Sequence, residues 1–177
     1  MRDYSAPELD AGLQHFLVEQ LREMLWAEKE LAKALPKMAR AANSPGLTQV
    51  LEAHRTETQA QVSRLEDIFS AMEQSPRSRK CEAMDGLLAE AENLIDEFAH
   101  SPVMDAALIS AARKIGYYEI AGYDSLHSFA RRLGHPEAAD LLARTLEEEK
   151  TTADLFAALA EIEAQENTPA PDGAHHH

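Results

Sequence analysis

Four glutamates and one histidine stand where helical periodicity calls for apolar residues: Glu28, His54, Glu57, Glu119 and Glu149. An ionised carboxylate inside an apolar core costs several kcal/mol unless something compensates it. One such residue would usually mark a boundary position, whereas four, one per helix, ask for a shared cause. Four carboxylates and a neutral imidazole carry a formal charge of about −4, which two divalent cations balance, and hard oxygen donors with one borderline nitrogen suit iron or manganese. His54 and Glu57 lie three residues apart, share a helix face and can reach one ion together. The five residues thus read as ligands for one or two Fe or Mn ions per chain. The competing reading is a polar layer, water-filled or salt-bridged, that fixes helix register, with His54 a hydrogen-bonded core histidine.

Positioning these residues requires long helices, and three breaks delimit them. Asn43-Ser44-Pro45, His100-Ser101-Pro102 and Gly134-His135-Pro136 each place a proline where a helix would begin, a position whose N–H would have no partner in any case. Ser44 and Ser101 read as N-caps, and Gly134 as the left-handed residue that closes the preceding helix. A fourth break, Ser75-Pro76, opens a polar loop through Lys80. The cuts predict helices over 8–42, 45–73, 82–98, 102–133 and 136–165, with Pro36 inside the first as a point of kinking. No segment alternates with the period of a strand. The first two long helices and the last two are joined by short links, so each pair should be an antiparallel hairpin. The long connection between hairpins carries its own short helix, which is the ferritin-like four-helix connectivity.

Each helix has an apolar stripe with the carboxylate near its middle. The first runs Leu17, Leu21, Met24, Glu28, Leu31, Leu35, Met38, and the second Leu47, Val50 or Leu51, His54, Glu57 or Thr58, Gln61, Leu65, Ile68, Met72. The third runs Leu108, Ala112, Ile115, Glu119, Gly122, Leu126, Phe129, and the fourth Ala138, Leu142, Thr145, Glu149, Thr152, Phe156. Counted from the links at about 1.5 Å per residue, the carboxylates fall within one or two turns of a single layer. Glu28 precedes Glu57 by 29 residues and Glu119 precedes Glu149 by 30, so the hairpins form a pseudo-twofold pair. Glu148 reads as solvent-facing, with a one-residue phase error able to exchange it for Glu149, and Glu30, Glu52 and Glu147 read as exposed.

Composition narrows the rest. The chain has 177 residues, a net charge of −14, 45% hydrophobic residues and 7 glycines, as expected of one folded helical domain. Such a charge disfavours nucleic acid. The single cysteine, Cys81, excludes a disulfide framework and suggests a reducing compartment. No apolar run approaches the ~20 residues needed to span a bilayer, and the N-terminus lacks a secretory pattern, so a cytoplasmic protein is expected. Residues 1–166 form the bundle in this reading. Residues 167–177, rich in Pro and Ala and ending in three histidines, read as a disordered tail and a tag remnant.

Several runs resemble a known family: Leu25-Trp26-Ala27-Glu28-Lys29-Glu30-Leu31, Lys33-Ala34-Leu35-Pro36-Lys37, Lys80-Cys81-Glu82-Ala83-Met84, Tyr118-Glu119-Ile120-Ala121-Gly122-Tyr123 and Leu146-Glu147-Glu148-Glu149-Lys150. They are similar, in order and over nearly the whole chain to about residue 160, to the YciE/YciF group of bacterial ferritin-like proteins. The resemblance implies a ferritin-like bundle, a homodimer, a link with bacterial stress responses and a dinuclear metal site. Where relatives commonly read Val-Glu-His-Tyr-Glu, this chain reads Ile115-Gly116-Tyr117-Tyr118-Glu119, without the acid and the histidine. Relatives often carry Asp where Ala153 stands, and Thr152 occupies the place of the second histidine of a ferritin-like Glu-x-x-His. The second hairpin is therefore poor in ligands, and an asymmetric site is expected.

Tyr117, Tyr118 and Tyr123 flank the layer, where they can pack in the core, hydrogen-bond to ligands or intercept oxidising equivalents. Cys81 follows Arg77, Arg79 and Lys80, which would favour its thiolate; the alternative is a buried cysteine at a helix start. For function, the sequence favours a dinuclear non-haem iron or manganese protein of the stress response, reacting with dioxygen or peroxide. The alternative is a metal-free or single-metal helical scaffold acting through a protein partner. Nothing in the sequence favours an iron-storage cage.

Overall fold

The computed structural model describes residues 2–166 and contains five helices: α1 (Ala6–Ala41), α2 (Pro45–Ala71), α3 (Glu82–Glu97), α4 (Met104–Arg132) and α5 (Pro136–Glu166). No strand occurs among the described residues. The expected tail, 167–177, lies outside them.

Local chemistry explains where the helices begin and end. Ser5 and Glu8 form a reciprocal capping box at the start of α1, and Ser44 accepts from the Leu47 N–H at the start of α2, each satisfying donors that the first turn would leave unpaired. Pro36 lies within α1 without ending it. At the end of α4, Gly134 takes φ +76, while His135 N donates to Ala130 O and Gly134 N to Arg131 O, a Schellman closure. Glu73 (φ 55) closes α2 in the same way. One expected start differs. Helix α4 begins at Met104 with Val103 at its cap and no side-chain cap bond, while the Ser101 hydroxyl accepts from Val103 N. Ser101 and Pro102 are thus spent on a turn that reverses the chain after α3, and the helix starts two residues late.

Helices α1 and α2 form one antiparallel hairpin and α4 and α5 another; α2 packs on α5, α1 on α4, and α3 lies across α1 and α4. This is an all-α, ferritin-like bundle with the short helix in its crossover. The hairpins are locked in register at one end by Asp105, which is buried and accepts from Asn43 N at 2.6 Å and Ser44 N at 2.8 Å. At the other end His135 meets Gln14 at 2.7 Å. The core is a continuous apolar cluster that includes Leu21, Leu25, Leu31, Leu51, Leu108, Ile115, Leu142 and Phe156. A polar layer interrupts it at mid-height.

Candidate metal centre

Each of the four long helices delivers its carboxylate into the bundle because its apolar stripe is already in phase. Glu28, Glu119 and Glu149 are as buried as the leucines on either side of them, and His54 is buried beside them. Glu57 is different. Thr58 takes the fully buried position of α2, and Glu57 lies half-buried on the rim. The donor atoms form two groups, each with one atom per residue within 4.8 Å of the others: Glu28, Glu119 and Glu149, and His54, Glu57 and Glu149. All five sequence-predicted residues are therefore brought together, with Glu149 common to both groups.

Partners are scarce in this layer. Tyr123 donates to Glu28 Oε1 at 2.9 Å, and the Thr152 hydroxyl donates to Glu57 Oε1 at 3.1 Å. Glu28 Oε2, His54 Nδ1 and both oxygens of Glu119 and Glu149 are buried with no hydrogen-bond partner. Buried polar atoms are nearly always satisfied, and an unpaired one costs about 1–3 kcal/mol, more when charged. The Glu119 oxygens face the carboxyls of Glu28 and Glu149, so without a cation those contacts hold only by sharing protons. Either protons or metal ions must occupy this layer.

The electrostatics agree. Burial first, then the neighbouring Glu149 and Glu28 charges, hold Glu119 well above the usual carboxylate range. Burial, reinforced by Glu28, pushes Glu149 up to about 9. Burial raises Glu28 as well, against the facing Glu119 carboxyl and the Tyr123 hydrogen bond, which lower it, and burial raises Glu57 against the Thr152 bond. Burial pushes His54 down to about 4, so the imidazole is neutral at ordinary pH with a lone pair to offer. Phe156 meets the His54 ring edge-on at 6.1 Å.

A second polar group lies beside the layer, between α2 and α5. Arg64, buried, donates to Thr145 Oγ1 at 2.8 Å and grips both oxygens of Glu148 at 2.8 Å. Gln61, fully buried, reaches Glu57 at 3.5 Å and Glu148 at 3.4 Å through the same Nε2. Glu148 is thus not the solvated residue its place beside Glu149 suggests, because Arg64 folds over to meet it. Glu30 is likewise half-buried, whereas Glu52 and Glu147 are exposed. An arginine in register with Gln61 and Leu65 on the buried side of α2 was the signal for this pair.

The tyrosines divide three ways: Tyr123 is a fully buried donor to Glu28, Tyr118 bonds to Cys81, and Tyr117 is exposed. Cys81 is buried at the start of α3, with its sulfur 2.9 Å from the Tyr118 hydroxyl and accepting from Met84 N. The nearby cations are engaged elsewhere, Arg79 with Glu19 and Lys80 with Asp85, and the cysteine serves as a cap. Gly116 has no atom within 4 Å of where its Cβ would lie; the space that an acidic side chain would enter is open.

A four-helix bundle of two hairpins with a carboxylate from every helix defines the ferritin-like class. Within that class, the chain belongs to the family described as a domain of unknown function, DUF892, whose model matches residues 12–168. It is 41% identical over 141 residues to protein YciF of Escherichia coli K12, covering 79% of this chain and 85% of that one. The crystal structure of the E. coli stress protein YciF superposes with a TM-score of 0.84 at 38% identity, covering 88% of this chain and 98% of that chain. YcfI from Rhodopseudomonas palustris, provisionally described as a structural protein, gives 0.80 at 37% identity, covering 82% and 92%. A Xanthomonas campestris protein at 20% identity shares the fold, with a TM-score of 0.69 over 88% of this chain and 94% of that one.

Proposed function

We propose that this chain is a dinuclear non-haem iron or manganese protein that serves in a bacterial stress response. Glu28, Glu119 and Glu149 would hold one ion and His54, Glu57 and Glu149 the other. One observation carries the reading: six oxygen and nitrogen atoms of Glu28, His54, Glu119 and Glu149 are buried and unpartnered within two donor groups of metal-binding size. The donor set fits, since hard carboxylates with one imidazole suit iron and manganese. Bound there, such an ion supplies one-electron chemistry toward dioxygen or peroxide. The chain's own residues do the rest. Tyr123 orients Glu28, Thr152 and Gln61 orient Glu57, and the apolar core keeps bulk water from Glu119 and Glu149. The likeness to a stress protein supports the physiological setting, and we extend the reading to a cytoplasmic homodimer. Elemental analysis of protein loaded with Fe(II) or Mn(II), with residues 175–177 removed, tests the centre. One to two ions per chain are expected, falling in Glu57→Ala. Less than about 0.2 per chain, unchanged by that substitution, would overturn the reading. Light scattering of the same sample tests the dimer.

A second reading, a metal-free scaffold, draws on the likeness to YcfI. It predicts that Glu28→Gln and Glu119→Leu leave partner binding intact and raise the melting temperature, because a buried acidic layer without a ligand only destabilises. The two readings separate on whether those substitutions also abolish metal uptake.

A further inference from the structure

If ions bind this layer, they must reach it through a packed bundle. Three of the four carboxylates and the imidazole are buried, and only Glu57 retains substantial exposure. The α1–α4 side is closed: Tyr123 is fully buried, and Met24 Cε lies so close to Gly122 that an added Cβ would stand 2.5 Å from it. On the α2–α5 side a line of polar side chains leads inward from the surface. Glu148, with about a quarter of its side chain exposed, comes first. Gln61 follows, its Nε2 between Glu148 and Glu57 and its side chain also against Glu149. The Gln61 Oε1 is buried and has no partner, although its residue is fully enclosed. That buried amide oxygen is unexplained by packing; with the amide turned over, it would stand where Nε2 now meets Glu148 and Glu57 and could bind a cation in passage.

We propose that metal ions enter between α2 and α5, taken up by Glu148 at the mouth and passed by Gln61 to Glu57 and Glu149; this rests on the metal-centre reading above. Arg64 sets the terms of entry. Its bidentate grip on Glu148 fixes that carboxylate at the mouth and balances its charge until a divalent ion competes for it. Glu148 then acts in the rate of loading and not in the final coordination. Carboxylates at a mouth raise the local cation concentration and the on-rate by tenfold or more.

Glu147 supplies an internal control. It is adjacent, equally charged, exposed and paired with Lys150, so Glu147→Gln changes net charge by the same amount away from the mouth. The experiment mixes metal-free protein with Mn(II) alone and follows the loss of the free-ion electron paramagnetic resonance signal, together with Mn(II) per chain after equilibrium dialysis. Glu148→Gln should load about tenfold more slowly with unchanged final stoichiometry. Glu148→Asp should recover most of the rate, and Glu147→Gln should match the unaltered chain. Unaltered folding of each variant is checked by its helical circular dichroism, and Gln61→Met provides a second slow variant should Glu148→Gln prove unstable. Equal rates in all variants at normal stoichiometry overturn the route while leaving the centre standing. Lost stoichiometry in Glu148→Gln overturns it too, making Glu148 a ligand. Absence of Mn(II) binding in the unaltered chain overturns the centre, and the route with it.

Discussion

Metal-free protein should lose stability as pH rises from 6.5 to 9, and the structure sets the slope. In the unfolded chain Glu149 titrates at its ordinary value near 4.5; folded, it holds its proton up to about 9. Through the interval between, the folded state binds the extra proton, so unfolding releases it and higher pH favours unfolding. Each such proton costs about 1.4 kcal/mol per pH unit, or roughly 3 kcal/mol between pH 6.5 and 9 for Glu149, and Glu119, also raised, acts in the same direction. His54 has the opposite sign. Its folded value is depressed from 6.5 to about 4, so the unfolded state binds more protons there and stability rises with pH across that range. Above about pH 7.5 His54 is neutral in both states, and the carboxyl slope is unopposed. Urea unfolding in the presence of a chelator, at half-unit steps of pH, measures it. Glu149→Gln should remove about one proton's worth of the slope, a difference that surface charges common to both proteins cannot imitate. With Mn(II) in place of the chelator the dependence should reverse, since the ion displaces the protons and binds more tightly as pH rises. A metal-free stability that is flat or rising above pH 6.5, with the same profile in Glu149→Gln, would refute the account.

Three further outcomes follow from single contacts. Tyr123→Phe removes the donor to Glu28 (2.9 Å) and should weaken Mn(II) affinity about 10–100-fold by competition titration while leaving the stoichiometry intact. Asp105→Ala strips two backbone N–H groups of a charged acceptor and should cost about 3 kcal/mol in chemical denaturation; Asp105→Asn should recover part of the loss. Gly134→Ala forces a Cβ into the left-handed backbone of the α4–α5 closure (φ +76) and should cost about 1–2 kcal/mol, seen as a lower melting temperature with unchanged helix content.

The hairpins were legible because their punctuation is local. Ser44-Pro45 and Gly134-His135-Pro136 state their own caps, and apolar stripes of period 3.6 give Glu28, Glu119 and Glu149 their inward phase. Where the sequence misleads, the competing partner is distant in the chain. Ser101-Pro102 has the form of a cap, but the turn out of α3 consumes it. Asp105 reads as an ordinary acidic first-turn residue, and nothing near it reveals that its partners lie 61 and 62 residues away. Glu148 looks solvated until Arg64 arrives from α2, 84 residues earlier. On α2 the stripe left Glu57 and Thr58 undecided, and the helix resolves the choice by burying the threonine, whose hydroxyl bonds back to His54 O at 2.7 Å.

That choice on α2 makes the layer asymmetric in a way the missing ligands of α4 and α5 do not. The expectation from Gly116, Thr152 and Ala153 was a weak second hairpin. In the structure the second hairpin supplies Glu119 and Glu149, both fully enclosed, while the first supplies the half-exposed Glu57. The distinction that matters chemically is therefore between a deep group of three carboxyls and an outer group containing a neutral imidazole. The deep group must shed tightly held protons before it can accept an ion, because burial and mutual repulsion both favour the protonated form. The outer group has less to shed: His54 is already unprotonated, and Glu57 is only half removed from water. Glu149 belongs to both, so if the proposed centre fills, deprotonating it for an outer ion would also prepare the deep group, and that ion's charge would lower the cost of ionising Glu119 and Glu28. On the proposed reading, filling is ordered from the outside inward, starting from the half-exposed Glu57.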